Sequence, residues 1–383
     1  MGSLIRVLHV ITWFRRGGVE TQLLNMLSAY DRSRFQMDAC VIGPEAGYLA
    51  DRARELGASI LSCRRSPDLW SFSRRFARLL KGRVYHVVHS HAEAWSGATL
   101  RGAYMAGVPV RIAHARYMLP EGSEAGSGIL IKAARKLVVD WGRFWVNRYA
   151  TRIMAVSEAV MDARWPQWRS DKEKYVVWTG GVDPVRFSPD GKGRRPGPPA
   201  VINVGSFRPA KRQEFMLQIF RQLLTRVTEA ILLMVGAGQG EESCRVLADR
   251  LGLSERVRFL GLRDDIPELL RSADVLLSCS EAEGLPNALI EAQAVGLPVV
   301  ATDIPPHREV LARELHPFLF SSEDLNGAAC SLERLLNDPG LIESLSKAVR
   351  LHVINHWDSR VKLEELLDWY ETWLNRRVER AFY

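Results

Sequence analysis

The chain has 383 residues, 47% of them hydrophobic and 25% charged, which is enough for two full cores and excludes a disordered or fibrous protein. No apolar run nears the ~18 residues of a membrane span, and five scattered cysteines without a Cys-x-x-Cys pair imply neither a disulfide framework nor a zinc site. The net charge of +8 is uneven: residues 1–200 hold 31 of the 52 Lys+Arg against 17 of the 44 Asp+Glu, so the first half draws anions and the second does not.

Residues 6–12 read as a strand, and no signal-peptide architecture precedes it, so a cytoplasmic protein is expected. Gly17-Gly18 follows, then a helix from residue 21. A double glycine there is either an ordinary tight turn or a phosphate cradle. Trp70, Phe72 and Phe76 lie among Arg64, Arg65, Arg74, Arg75 and Arg78. Trp141, Phe144, Trp145 and Tyr149 likewise alternate with Lys132, Arg135, Lys136, Arg143 and Arg148. Such segments are either core helices with solvated charges or a basic surface resting on anionic lipid.

Residues 84–89, 110–114 and 153–156 read as further strands. His89, His91 and His114, at two strand ends of one parallel sheet, would face one crevice. No His-Glu-x-x-His accompanies them, and no metal site is expected. Residues 191–199, dense in Gly, Pro and charge, read as a linker between domains.

A second strand–loop–helix unit opens at residue 200. Lys211, between strand and helix, is either a point charge for a diphosphate, with Arg208 near in sequence, or a solvated first-turn lysine. Gly236-Ala237-Gly238-Gln239-Gly240 lacks the full Gly-x-Gly-x-x-Gly spacing, which favours a sharp turn over a nicotinamide site. Strands at 231–235, 257–260, 275–279 and 299–301 alternate with helical patterns. That alternation indicates parallel βαβ units, hence an α/β fold of two doubly wound sheets, each binding ligands at its strand carboxyl ends. Trp357, Leu363, Leu366, Leu367, Tyr370 and Leu374 recur at helical spacing near the end of the chain.

The most informative segment is 280–292. Glu283 lies in the breaker-rich loop Gly284-Leu285-Pro286, and Glu291 in the helix that this loop starts. Pro286 suits the first helical turn, and Asn287 and Glu291 share one face. Amides at the helix start suit a phosphate and the carboxylates suit polyols, which together describe a nucleotide sugar. No Asp-x-Asp occurs, so Lys, Arg and helix N-termini must neutralise the diphosphate, and neither a divalent metal nor another cofactor is expected.

Glu283-x7-Glu291 within the run from Glu283 to Asp303 resembles the signature of the retaining family-4 glycosyltransferases of the GT-B fold. Gly17-Gly18-Val19-Glu20, Val156-Ser157-Glu158, Gly180-Gly181-Val182-Asp183-Pro184 and Phe259-Leu260-Gly261 support the match. The resemblance implies two Rossmann-like domains facing a central cleft. The N-terminal acceptor domain would span 1–190 and the C-terminal nucleotide-sugar domain 200–360, with a helix at 361–383 crossing back. It implies that Glu283 meets the donor sugar hydroxyls and Glu291 the ribose. Gly284, Leu285, Asn287 and Ala288 would lie along sugar and phosphate. Lys211 holds the diphosphate, Gly17 and Gly18 close over it, His114 lies beside the transferred sugar, and Leu262 and Arg263 abut the base. Two departures stand out: Ser206 where the family often has arginine, leaving the diphosphate to Lys211 and Arg208, and Gly180 where it often has asparagine.

The expected activity is therefore transfer of a sugar, with retention, from a nucleotide diphosphate, UDP by the resemblance, to a hydroxyl acceptor in glycan, glycolipid or glycoside biosynthesis. The acceptor is expected to be anionic, lipid-linked or a small hydroxyl compound, and an anionic membrane surface a further partner. A sugar-nucleotide 2-epimerase of similar fold is the enzymatic alternative; it would need acid/base groups around C2 and no acceptor site. A catalytically silent binding or membrane-scaffold protein would be expected to lack Glu283, Glu291 or Lys211, and all three are present. The basic charge comes with no nucleic-acid-binding motif, so no nucleic acid is expected.

Overall fold

A computed structural model describes residues 4–15, 17–66, 68–118, 129–189 and 197–382. The chain divides into two units, Met1–Gly180 with Arg360–Tyr383, and Gly181–Ser359.

The first unit carries seven strands: β1 Ile5–Ile11, β2 Phe35–Val41, β3 Ile60–Ser62, β4 Val87–Ser90, β5 Val110–Ala115, β6 Arg152–Ala155 and β7 Tyr175–Val177. Their order is β3-β2-β1-β4-β5-β6-β7, parallel throughout. The second carries β8 Ala200–Val204, β9 Ile231–Val235, β10 Val257–Gly261, β11 Val275–Ser278, β12 Val299–Thr302 and β13 Leu319–Phe320, in the parallel order β10-β9-β8-β11-β12-β13. Helices cover both faces, so the central strands are buried along nearly their whole length. The strand order reverses between β1 and β4 in one sheet and between β8 and β11 in the other. These are the two topological switch points, where crevices form outside the strand carboxyl ends.

Four strands have no counterpart in the sequence reading. β3, β7 and β13 are too short to show alternation. β2 is interrupted by Asp38, which nonetheless lies inside the sheet. Its carboxylate accepts from the Ser59 amide at 2.9 Å, the Tyr85 hydroxyl at 2.9 Å and Arg6 at 3.3 Å. Burial favours the protonated form, but these donors outweigh it and hold the carboxyl below its usual range.

The expected boundary at residue 190 and the observed division at Gly180 differ because Val182 and Phe187 already pack in the second core. Arg350 ties down the same stretch by donating to the carbonyls of Pro184 and Phe187, each at 2.7 Å. Of the expected linker, residues 191–196 lie outside the described residues. Gly180 has φ +69°, a left-handed conformation that glycine and asparagine tolerate best, and a Cβ there would overlap the Gln22 amide. This accounts for the glycine–asparagine departure. The Ser359–Phe382 helix buries Leu363, Leu366, Leu367, Tyr370 and Trp373 in the core of the first unit. Arg34 pairs with Glu364, Asp368 and Glu371 on its outer face, at 3.0–3.3 Å.

Candidate active site

In the second unit the loops after β8 and β11 meet at the switch point. The Glu281 amide donates to the Ala210 carbonyl at 2.9 Å, which brings Lys211 onto Glu283: the ammonium donates to Glu283 Oε1. The pair is largely sheltered, with side chains 28% and 10% exposed. Lys211 ends a 3-10 turn, and the next residue, Arg212, adopts φ +50°, a conformation that costs energy for a side chain with a Cβ. Arg212 is held there by the Ser322 carbonyl at 2.6 Å, Glu323 at 3.1 Å and Glu281 at 3.2 Å, and it lies over the Phe215 ring. The loop carrying Glu283 is braced from β12. The Thr302 hydroxyl donates to the Ser280 carbonyl at 2.5 Å, and the buried His307 donates from Nδ1 to the Thr302 carbonyl at 2.7 Å. Sequence reasoning missed Arg212 and His307, since the contacts that give them a role come from residues distant in sequence or from backbone carbonyls.

Glu291 lies in the Asn287–Ala294 helix, one turn beyond Asn287 on the same face. Its carboxyl is pushed up to about 7 by burial, with Arg186 pulling weakly the other way, although part of the side chain remains open to solvent. Two local expectations need correction. Pro286 is the N-cap and not the first helical residue. The Asn287 amide is also not open to a ligand as expected: it donates to the Leu285 carbonyl at 2.9 Å in a tight turn, because Pro286 bends the backbone there. Ala288, Gly284 and Leu285 flank the same loop.

Arg208 is exposed and is held by no side chain among the described residues. Leu262 is 61% exposed, and Arg263 forms a two-point pair with Asp265 at 2.8 and 2.6 Å. Both follow β10, at the edge of the sheet, and neither contacts Lys211 or Glu283 there. The Gly236–Gly240 loop serves backbone packing. A Cβ on Gly236 would lie 2.0 Å from the Gly205 carbonyl oxygen and one on Gly238 2.3 Å from that of Phe207. These glycines let the loops after β8 and β9 touch.

In the first unit Gly17 and Gly18 follow β1, and the Gly18–Ala29 helix starts there. Gly17 has an extended backbone that any residue adopts, so its φ does not call for glycine. The histidines do come together, in a buried cluster that is larger than expected. His89 Nε2 and His114 Nδ1 are 3.0 Å apart, His89 Nδ1 is 2.5 Å from the Tyr370 hydroxyl, and His9 Nδ1 is 3.2 Å from His91 Nε2. Arg116 donates to His91 Nδ1 at 2.9 Å and also to Gln22. Burial holds all four imidazoles below their usual range, and the neighbouring Arg116 charge adds to it. His9, Gln22 and Arg116 carried no sequence signal, although Arg116 lies only two residues beyond His114.

The aromatic–basic segments divide between core and surface. Phe72, Phe76 and Trp145 are buried, whereas Trp70, Trp141 and Phe144 are 45–58% exposed. These three form one patch, with ring centroids 5.8 Å apart for Trp70–Trp141 and 5.7 Å for Trp141–Phe144. Arg101 lies over Trp70. The side chains of Lys132 and Arg135 lie outside the described residues.

Comparison with known proteins places these features in a family. Residues 186–352 match the Glycosyl transferases group 1 family and residues 17–179 the Glycosyl transferase 4-like domain. The chain is similar to EpsF of Bacillus subtilis, with 29% identity over 78% of this chain and 79% of that protein. It is 24% identical, over 96% of this chain and 97% of that one, to the UDP-Gal:alpha-D-GlcNAc-diphosphoundecaprenol alpha-1,3-galactosyltransferase of Escherichia coli. Among solved structures, Anabaena Alr3699/HepE in complex with UDP superposes with a TM-score of 0.79 at 18% identity, covering 96% of this chain and 100% of that one. Two doubly wound parallel sheets, a Lys–Glu pair at the second switch point and these matches have one reading: the chain is a family-4 glycosyltransferase of the GT-B fold.

Proposed function

We propose that this glycosyltransferase moves a hexose, with retention and without a metal ion, from a UDP-sugar to a hydroxyl of a lipid-linked or polysaccharide acceptor. The observation that carries the reading is the sheltered Lys211–Glu283 pair at the β8/β11 switch point, with Glu291 on the adjoining helix. Glu283 accepts from donor sugar hydroxyls and Glu291 from the ribose. Lys211 moves from Glu283 to the leaving phosphate and stabilises its developing charge. The bond from the anomeric carbon to phosphate breaks and one to the acceptor oxygen forms on the same face. The acceptor proton passes to the departing phosphate oxygen, so no separate base is required. In this reading Arg208 joins Lys211 at the phosphates, and Leu262 and Arg263 abut the base. The UDP and UDP-glucose complexes of the Anabaena protein support the carrier, and the E. coli relative's diphosphoundecaprenol acceptor supports a lipid-linked one. Hydrolysis of a panel of nucleotide sugars in EDTA, followed by the anomeric configuration of the released sugar, tests this. Release from UDP-sugars with retention is expected; an inverted product or no preference for UDP overturns it.

The exposed Trp70–Trp141–Phe144 patch, with Arg74, Arg143 and Arg148 also exposed on the same helices, supports peripheral attachment to an anionic cytoplasmic membrane face. No described helix is long and apolar enough to cross a membrane.

A further inference from the structure

A buried charge is costly unless it is paired or hydrogen-bonded throughout. Arg116, just past the carboxyl end of β5, is 9% exposed. Its guanidinium donates to His91 Nδ1 and to Gln22 Oε1, both neutral groups, and its Nε is buried with no partner. Among the described residues no carboxylate is bonded directly to the guanidinium, although the charges of Glu93 and Glu20 reach it through space. Glu93 is committed elsewhere: one oxygen accepts from the Arg116 backbone amide at 2.7 Å and the other from the Arg164 guanidinium. Burial pulls the Arg116 group down to about 10, which leaves it protonated at neutral pH.

The adjoining imidazoles carry the same polarity outward. Because Arg116 donates to His91 Nδ1, the neutral His91 ring has its proton on Nε2 and donates to His9 Nδ1. His9 then carries its proton on Nε2, which is also buried without a partner. One hydrogen-bonded chain thus holds two donors lacking acceptors and one cation without a direct ion pair. His9, His89 and His91 lie close enough together to ligate a metal ion, but the guanidinium on His91 already supplies the positive charge that a metal would bring. The deficit is of an anion.

We propose that Arg116 is the centre of an anion subsite in the first unit that takes a phosphate group, displacing the Gln22 carboxamide. Only the question of whose phosphate it holds, acceptor's or donor's, rests on the function proposed above. The test is a Gln22→Glu substitution, which supplies a directly bonded carboxylate in place. Inorganic phosphate is titrated calorimetrically into the full chain in a Lys211→Ala background, so that the second unit's lysine does not compete for the probe. Gln22→Glu is expected to lower phosphate affinity at least tenfold while raising the unfolding midpoint, and Gln22→Leu is expected to retain phosphate binding. Absence of saturable phosphate binding in the background chain, or an affinity unchanged by Gln22→Glu, overturns the subsite.

A UDP titration with Lys211 intact identifies the source. Matching loss of UDP affinity in Gln22→Glu assigns the donor's diphosphate to Arg116; unchanged UDP affinity assigns an anionic group of the acceptor. A chain that binds phosphate through Arg116 but fails to bind UDP would sink the UDP reading alone and leave the subsite in place.

Discussion

The two switch points use the same strand geometry for opposite chemistry. In the first unit the ends of β1, β4 and β5 gather buried neutral imidazoles and a guanidinium without a direct ion pair. In the second, the crevice between β8 and β11 holds an ammonium already paired with a carboxylate, beside a second carboxylate that burial keeps close to neutrality. The first offers donors and a positive charge, the second two carboxylates around one ion-paired cation. A doubly wound sheet sets where chemistry happens, and the residues at the strand ends decide what is recognised.

The contrast is sharpest in acid. An imidazole held below its usual value of 6.5 binds protons only on unfolding, so its contribution to stability is present above 6.5 and is lost as pH falls below it. Each of His9, His89, His91 and His114 adds up to roughly 1.4 kcal/mol per pH unit to that loss. Urea unfolding at pH 7.5, 6.5 and 5.5 should show the steepest fall in the last interval, and His9→Phe should flatten it. A stability that stays level from 7.5 to 5.5 would mean the histidines are solvated.

The second crevice should respond through turnover. Lys211→Ala removes the charge proposed to meet the leaving phosphate and is expected to lower kcat about 10²–10³-fold. Glu283→Gln, which keeps the shape and loses the ion pair, should reduce kcat with a smaller effect on KM. Equal kcat in Lys211→Ala and the unmodified enzyme would remove the lysine from the chemistry.

Glu291 links stability and binding. Its carboxyl moves from an ordinary 4.5 to about 7 on folding, so between those values the unfolded state loses the proton first and the free protein loses stability as pH rises. Glu291→Gln should abolish that slope and raise the unfolding midpoint at pH 8. It should leave the midpoint at pH 4 unchanged and weaken UDP binding about ten- to hundred-fold, worth ~1.5–3 kcal/mol for a charged hydrogen bond. A weaker UDP complex without the midpoint change would place Glu291 in solvent.

Membrane attachment should give the smallest effect. Trp70→Ala with Trp141→Ala is expected to reduce sedimentation with anionic vesicles at low salt about fivefold each. Wild-type protein that stays in the supernatant at low salt would end that proposal.

The α/β class, the interior strands and the Glu283–Glu291 segment were legible in the chain because each rests on local pattern: apolar runs separated by turn residues, and a breaker-rich loop leading into a helix. Lys211 was legible as a loop lysine before a helix. Its contact with Glu283 was not, since that depends on β8 and β11 being neighbours in the sheet although they are far apart in sequence. Short edge strands and β2 escaped notice because pairing, not composition, makes them strands; Asp38 is tolerated only because Ser59, Tyr85 and Arg6 arrive from elsewhere to satisfy it. The same reason separates the two crevices. The local sequence determined which titratable groups stand at strand ends. Only the tertiary structure decided that Lys211 finds a carboxylate while Arg116 finds neutral histidine and glutamine, because burial and long-range neighbours, invisible to local pattern, set the charge balance of each site.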